Sequence, residues 1–297
     1  MSTYAPYASQ VARYAVRALY AEVALEPKPG LVSFRDNGSH TDMTAATFVR
    51  SLFSLRHYFP QMAQAGAHAV PFATLQTLGL QAEARMLQAT EGINTHRGAV
   101  FSLGLLCASA GRLAAQGKPL CSDSIRATLL HQWGDALCKR VQQAALKLPT
   151  SNGQCAARRY QLRSAGAEAA LGFPVLFETT LPTLDAAIQS GQGVRAARTQ
   201  AFFATMAVLD DTNTAHRGGL AGAQFVKQSA QDFLNAGGVW QHDWVIAARE
   251  IHNSFVFHRL SPGGAADMLA CACFLHALAC NTTPAEAASD CDLVFEA

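Results

Sequence analysis

The sequence is short of charge and of strand signals. Only 15% of its 297 residues are Asp, Glu, Lys or Arg, 50% are hydrophobic, and the formal net charge is +2. So apolar a chain falls outside the disordered class. Without a basic excess gathered on one arm or face, it also lacks the footprint of a nucleic-acid binder. Sustained apolar–polar alternation, the mark of a half-buried strand, is almost missing. There is no Walker A segment, no GxGxxG after a strand, no HExxH and no GxSxG. The eight cysteines form no CxxC pair, which excludes a zinc ribbon, and they read as structural thiols of a reducing compartment. The opening MSTYAPYASQ has neither the basic nor the apolar region of a secretory signal. The most apolar tract, Met268 to Cys280, is short for a bilayer span and holds His276. A soluble, cytoplasmic protein is expected, with neither nucleic acid nor membrane among its partners.

What is abundant is helix. Ala/Leu-rich stretches with apolar residues at helical spacing predict helices over 7–24, 44–64, 72–88 and 99–115. Ser122 reads as the N-cap of another that runs to about 147. Further helices are expected at about 183–189, 192–209, 219–236, 241–257 and 262–280, with a polar break at 151–164. The expectation is an all-α fold in a single domain spanning 1–297. Its apolar helices could equally bury a homodimer interface.

The chemically unusual residues collect in the breaks between helices, where a rigid scaffold presents ligand groups. The first cluster is EPKPG, with Lys28 in a proline-stiffened turn, followed by GSHTDM with His40 and Asp42. An ammonium so held suits a phosphate, although a rigid turn with an ordinary Asp cap explains the pattern as well. The second crowds Asn94, Thr95, His96 and Arg97 onto the start of an apolar helix. Free N–H groups and the dipole there favour an anion, though simple capping by Asn94 or Thr95 competes. The third holds Arg158, Arg159, Arg163 and Glu168, read either as a phosphate clamp or as a solvated basic loop. The fourth, DDTNTAHRGG, offers Asp211 and Asn213, oxygen ligands of the kind Mg²⁺ prefers, followed by Arg217 and Gly218. In the fifth, RLSPGGAAD, Ser261 and Pro262 read as N-cap and first helical residue. Gly263 and Gly264 there permit close approach, and Asp267 follows on an apolar helix, where a carboxylate needs a partner.

The segments EVALEPKPGLV, GSHTDM, GINTHRGAVFSLGLLC, AGAEAALGFP, DTNTAHRGG and LSPGGAADMLA follow one another in this order over about 22–278. As a series they resemble the triphosphoribosyl-dephospho-CoA synthases that serve citrate lyase and malonate decarboxylase. The resemblance implies an all-α enzyme that transfers the triphosphoribosyl group of ATP to the 2′-hydroxyl of 3′-dephospho-CoA and releases adenine. It also implies that the product passes to a phosphoribosyl-dephospho-CoA transferase and an acyl-carrier protein. On this reading Asp42, Asp211 and Asp267 act as base or hold Mg²⁺, with Asn213 as a further ligand and Glu168 as a second candidate base. Lys28, Arg97 and Arg217 meet the phosphates, and His40 and His96 donate to phosphate or adenine. Asn94, Thr95, Gly218, Ser261, Gly263 and Gly264 complete the substrate contacts. The sequence departs from the family in placing Gly166 where an arginine is usual, with Arg163 as the candidate replacement, and Arg259 where asparagine is usual. Arg97, where lysine is frequent, leans toward the malonate decarboxylase branch. An Mg²⁺-dependent helical N-glycoside hydrolase and a non-catalytic helical scaffold are the alternatives.

Overall fold

In the computed structural model, which describes residues 5–280, two helices are apolar on every side and therefore must be central. They are α5 (Arg97–Ala115) and α13 (Gly263–Cys280), buried along almost their whole lengths. Around them lie α1 (Ala5–Ala24), α2 (Ala45–Leu55), α3 (Tyr58–Ala67), α4 (Phe72–Ala89) and α6 (Ser122–Leu146). The second half adds α7 (Asn152–Tyr160), α8 (Ala165–Ala170), α9 (Leu181–Gln189), α10 (Val194–Val208), α11 (Thr212–Asn235) and α12 (Trp244–Phe257). No strand occurs among the described residues, so the fold is all-α.

Packing begins with α1, which lies against α13 and α3, and with α10, which closes the other side of α13. A single hydrophobic core joins these elements, with Leu103, Leu106, Phe202, Phe203, Leu269 and Phe274 fully removed from solvent. Each such side chain contributes about 1.5–3 kcal/mol by burial alone. The closest seam is between α3 and α5. A β-carbon on Gly66 would strike the Ala108 backbone, and one on Gly111 the Ala63 backbone, so only glycine permits this approach. Tyr58 donates to the Val100 carbonyl at 2.9 Å, and Gly104 leaves room for its ring.

Several local expectations are corrected. The helix expected over 44–64 is two, α2 and α3, because Pro60 has no N–H for the Arg56 carbonyl and its ring would clash there. The polar break at 151–164 contains α7, capped by Ser151 Oγ at Gln154 N–H (3.3 Å), and ends at Gln161 in the left-handed region (φ 53°). The N-cap of α6 is Cys121, with Ser122 the first helical residue. DTNTAHRGG is the opening of α11, interrupted at Gly219 (φ 65°), and not a loop before it.

Both central helices are long and apolar enough to cross a membrane by length and composition, the 268–280 tract being extended to 18 residues by the first turns of α13. Within the fold, however, 72% of the α5 span and 67% of the α13 span are buried inside the protein, as core helices are. Cys107, Cys271 and Cys273 are buried free thiols of that core, whereas Cys121, Cys138 and Cys155 are exposed and so are not core thiols, and Cys291 lies outside the described residues.

Candidate active site

Three helix N-termini meet in this fold, and carboxylates of the protein itself occupy them. Asp211 is the N-cap of α11, its Oδ1 accepting from Asn213 N–H (2.9 Å) and Thr214 N–H (3.0 Å). Its Oδ2 accepts from Ala265 N–H (3.0 Å), so the same side chain caps α13. The expected cap, Ser261, is turned instead to His40, with Oγ 2.8 Å from Nε2. At the third helix, Asp267 accepts from Ala99 N–H at the start of α5. Gly98 lies so close to it that a β-carbon would overlap Oδ2. Gly264 plays the same part beside Asp211, and Gly263 beside Asn213. The anion expected at the start of α5 is thus an aspartate of the chain, held where the dipole favours negative charge.

These acids repel one another. Burial pushes the Asp267 carboxyl well above the usual carboxylate range, and the charges of Glu22 and Asp211 push it further. Burial also raises Asp211, against the pull of its four backbone N–H partners. Asp267 nevertheless keeps a partly accessible side chain, whereas Asp211 and Glu22 are buried.

Lys28 does not stand open for a phosphate. Its ammonium is sealed in the core, 2.5 Å from Glu22 Oε1 and 2.7 Å from the Glu22 carbonyl. Burial lowers its proton affinity, and Glu22 opposes that. His96 is buried beside it, and burial, with the Lys28 charge, pushes its imidazole down to about 3. Thr95 Oγ1 donates to Ser51 Oγ (2.7 Å), which is hydrogen-bonded to His96 Nδ1 (2.6 Å). His96 Nε2 is buried and has no partner among the described residues.

A more open cluster adjoins them. Arg217 donates through Nη2 to the Ser39 carbonyl (2.6 Å) and through Nε to the Arg259 carbonyl (2.9 Å). His40 Nδ1 lies 3.4 Å from Arg217 Nη1 and 3.6 Å from the exposed carboxylate of Asp42. Burial and the Arg217 charge lower the His40 pKa. Ser39 Oγ donates to the Leu260 carbonyl (2.5 Å), which ties GSHTDM to RLSPGG. Gly218 packs against the Leu260 side chain.

The structure therefore unites the first, second, fourth and fifth clusters, and the third is tied to the fourth where Arg163 N–H donates to Asp210 Oδ2 (3.2 Å). Glu168 accepts from Val175 N–H (2.8 Å) and Arg163 Nη1 (3.0 Å), with both oxygens used to fix its own loop. As the second candidate base it would act with both oxygens already engaged. Arg163 takes up Glu168, while Arg140 Nη1 occupies the space beside Gly166. Arg97 is paired with Glu83 of α4, and Asn94 Oδ1 accepts from the Arg97 N–H (3.2 Å). The four suggested metal ligands fail as a resident site. Asp211 is consumed as a double cap, Asp42 is held apart with His40, and no group of three His, Cys, Asp or Glu suited to a metal forms among the described residues. Sequence reasoning did not single out Glu22, although it opens the EVALEPKPGLV segment, or Ser51, which carries no local motif.

Helix ends that hold repelling acids near a buried histidine make up the candidate site of this all-α chain, and comparison with known proteins shows its family. The sequence model of the ATP:dephospho-CoA triphosphoribosyl transferases matches residues 8–284. A probable 2-(5''-triphosphoribosyl)-3'-dephosphocoenzyme-A synthase of Acinetobacter calcoaceticus is 40% identical over 259 residues, 87% of each chain. The 2-(5''-triphosphoribosyl)-3'-dephosphocoenzyme-A synthase of Klebsiella pneumoniae is 36% identical over 284 residues, 91% of each chain, and that of Escherichia fergusonii 35% over 274, 90% of each. The chain belongs to the ATP:dephospho-CoA triphosphoribosyl transferase family. No solved structure matches it.

Proposed function

We propose that the chain transfers the 5-triphosphoribosyl group of ATP to the 2′-hydroxyl of 3′-dephospho-CoA, with release of adenine. The observation that carries the reading is Asp267, a carboxylate at the start of α5 whose charge is opposed by Asp211 and by Glu22, the latter already paired with Lys28. Cleaving the ribose C1′–N bond builds a cation on the sugar, as in other glycosyl transfers. Asp267 both faces that charge and takes the proton of the attacking hydroxyl, for which its raised pKa suits it. The C1′–N9 electron pair leaves with adenine, the new C1′–O bond forms, and the hydroxyl proton ends on the released base. In the tautomer protonated at Nε2, His96 donates a hydrogen bond to the departing ring without giving up its proton, since a neutral imidazole is a poor acid. ATP enters as its Mg²⁺ complex. Bound largely through phosphates, that ion needs one or two carboxylates at most, and the exposed Asp42 is available. Arg217 stands beside it for the phosphates.

The product serves the acyl-carrier protein of malonate decarboxylase, the branch toward which Arg97 leans, or of citrate lyase, by way of a phosphoribosyl-dephospho-CoA transferase in the cytoplasm. Incubation with Mg-ATP, with and without dephospho-CoA, tests the reaction. Adenine that appears only with acceptor, together with the triphosphoribosyl adduct by mass, is the expected result. Adenine release into water alone would make the chain a hydrolase, and no release would make it a scaffold.

A further inference from the structure

On the other side of the EPKPG segment, three guanidinium groups converge on one carboxylate. Glu26 accepts from Arg249 Nε (3.0 Å) and Nη2 (3.2 Å) and from Arg195 Nη2 (3.0 Å), and its carbonyl takes Arg195 Nε. Arg249 alone satisfies both carboxylate oxygens, so a fold-stabilising pair needs nothing more. Yet Arg35 is also present. Its Nη1 stands 3.7 Å from Glu26 Oε1, beyond hydrogen-bond distance, and its guanidinium makes no hydrogen bond to the described residues. The only other carboxylate nearby, Asp36, is turned to His252 Nε2 at 3.3 Å.

Glu26, Arg35, Asp36, Arg249, His252 and Asn253 line a cavity of about 100 Å³. That is several times the roughly 10–15 Å³ that holds one ordered water. Surplus guanidinium donors around a cavity of this size match a tetrahedral, multiply charged oxyanion. The cavity also adjoins the reacting end of the site. Lys28 turns its ammonium inward to Glu22, beside Asp267, while His252 Nδ1 lies 3.2 Å from its carbonyl on the cavity side. With Lys28 sealed in the core, the phosphate-binding charge sits one residue pair away, on these arginines.

We propose that this cavity is an anion subsite that takes a phosphoryl group of a polyphosphate ester, with the Arg35 guanidinium and the remaining Nη1 of Arg249 donating to its oxygens. The proposal rests on the transferase reading for its ligand class, which the triphosphate of ATP and the pyrophosphate of dephospho-CoA share. Titration of the full chain with inorganic tripolyphosphate by calorimetry, and steady-state kinetics for each substrate, test it on wild type, Arg35→Ala and Arg249→Ala. Losing charge-assisted hydrogen bonds should weaken tripolyphosphate binding about ten-fold and raise one KM about ten-fold, with a smaller change in kcat. A raised KM for ATP assigns the donor, and one for dephospho-CoA the acceptor. Arg35 is exposed and makes no side-chain hydrogen bond, so its variant decides alone if Arg249→Ala fails to fold. Tripolyphosphate affinity and both KM values within two-fold of wild type, in an enzyme that still releases adenine, would overturn the subsite. A wild type that binds tripolyphosphate but releases no adenine would overturn the transferase reading and leave the subsite standing.

Discussion

At its C-terminal half α5 presses glycine against backbone, Gly111 on Ala63; at its N-terminal end it presses glycine against a carboxylate, Gly98 on Asp267. The two contacts look alike in sequence, each a small residue in an apolar helix. Physically they are opposites. The α3–α5 seam gains dispersion and burial from close approach and contributes stability. The Gly98 contact brings a carboxylate into a poorly hydrated setting next to two more acids, which costs stability and supplies chemistry. One helix thus carries both the fold and the site, and the two functions should separate under mutation.

The widest separation is expected from Asp267→Asn. Removing the repelling charge should leave thermal stability equal or higher while turnover falls about 10²–10⁴-fold, read by adenine release and melting temperature on one preparation. Asp211→Ala should act the other way. It strips the caps from α11 and α13 at once and costs about 2–4 kcal/mol, measured by denaturant unfolding. Gly111→Val should lower stability by about 1–3 kcal/mol through overpacking and keep KM near wild type at low temperature. A Gly111→Val protein that was fully stable but inactive would erase the distinction between the two ends.

The smallest effect is a pH dependence far from both. Burial disfavours charge on His276, but the Asp185 hydrogen bond (2.6 Å) and the Cys280 contact outweigh it and push its pKa up to about 9. A pKa raised on folding adds stability that is full below about 6.5, the unfolded value, and is lost as pH rises to about 9. Solvent screening leaves this at on the order of 1–2 kcal/mol, and Asp185→Asn should flatten the stability profile over that window.

Much of this was legible beforehand, for stated reasons. Apolar periodicity revealed the all-α class, because helices that bury a face must show it. Breaks rich in Asp, His, Arg and Gly marked segments that the fold does bring together, such as GSHTDM and RLSPGG through Ser39 and Leu260, because polar groups inside an apolar chain need partners. What stayed hidden was partnership. Nothing local says that Lys28 would be spent on Glu22, that Asp211 would cap two helices, or that Glu168 would serve its own loop. Those outcomes depend on which helix ends meet, and that is set by the α5 and α13 core. Pro60 was a local signal of the break between α2 and α3, overridden in the sequence reading by the strong apolar pattern around it.

The central claim is that Asp267, its charge opposed by Asp211 and by Glu22, serves a cationic ribosyl group. A competitive isotope effect with hydrogen replaced by tritium at C1′ of ATP tests it most directly, measured for wild type and for Asp267→Asn. Slower reaction of the tritiated ATP, preserved or enlarged in the slowed variant, is the expected result. Equal rates for both isotopes in both proteins would contradict it, because no positive charge would then develop at C1′ on the way to adenine.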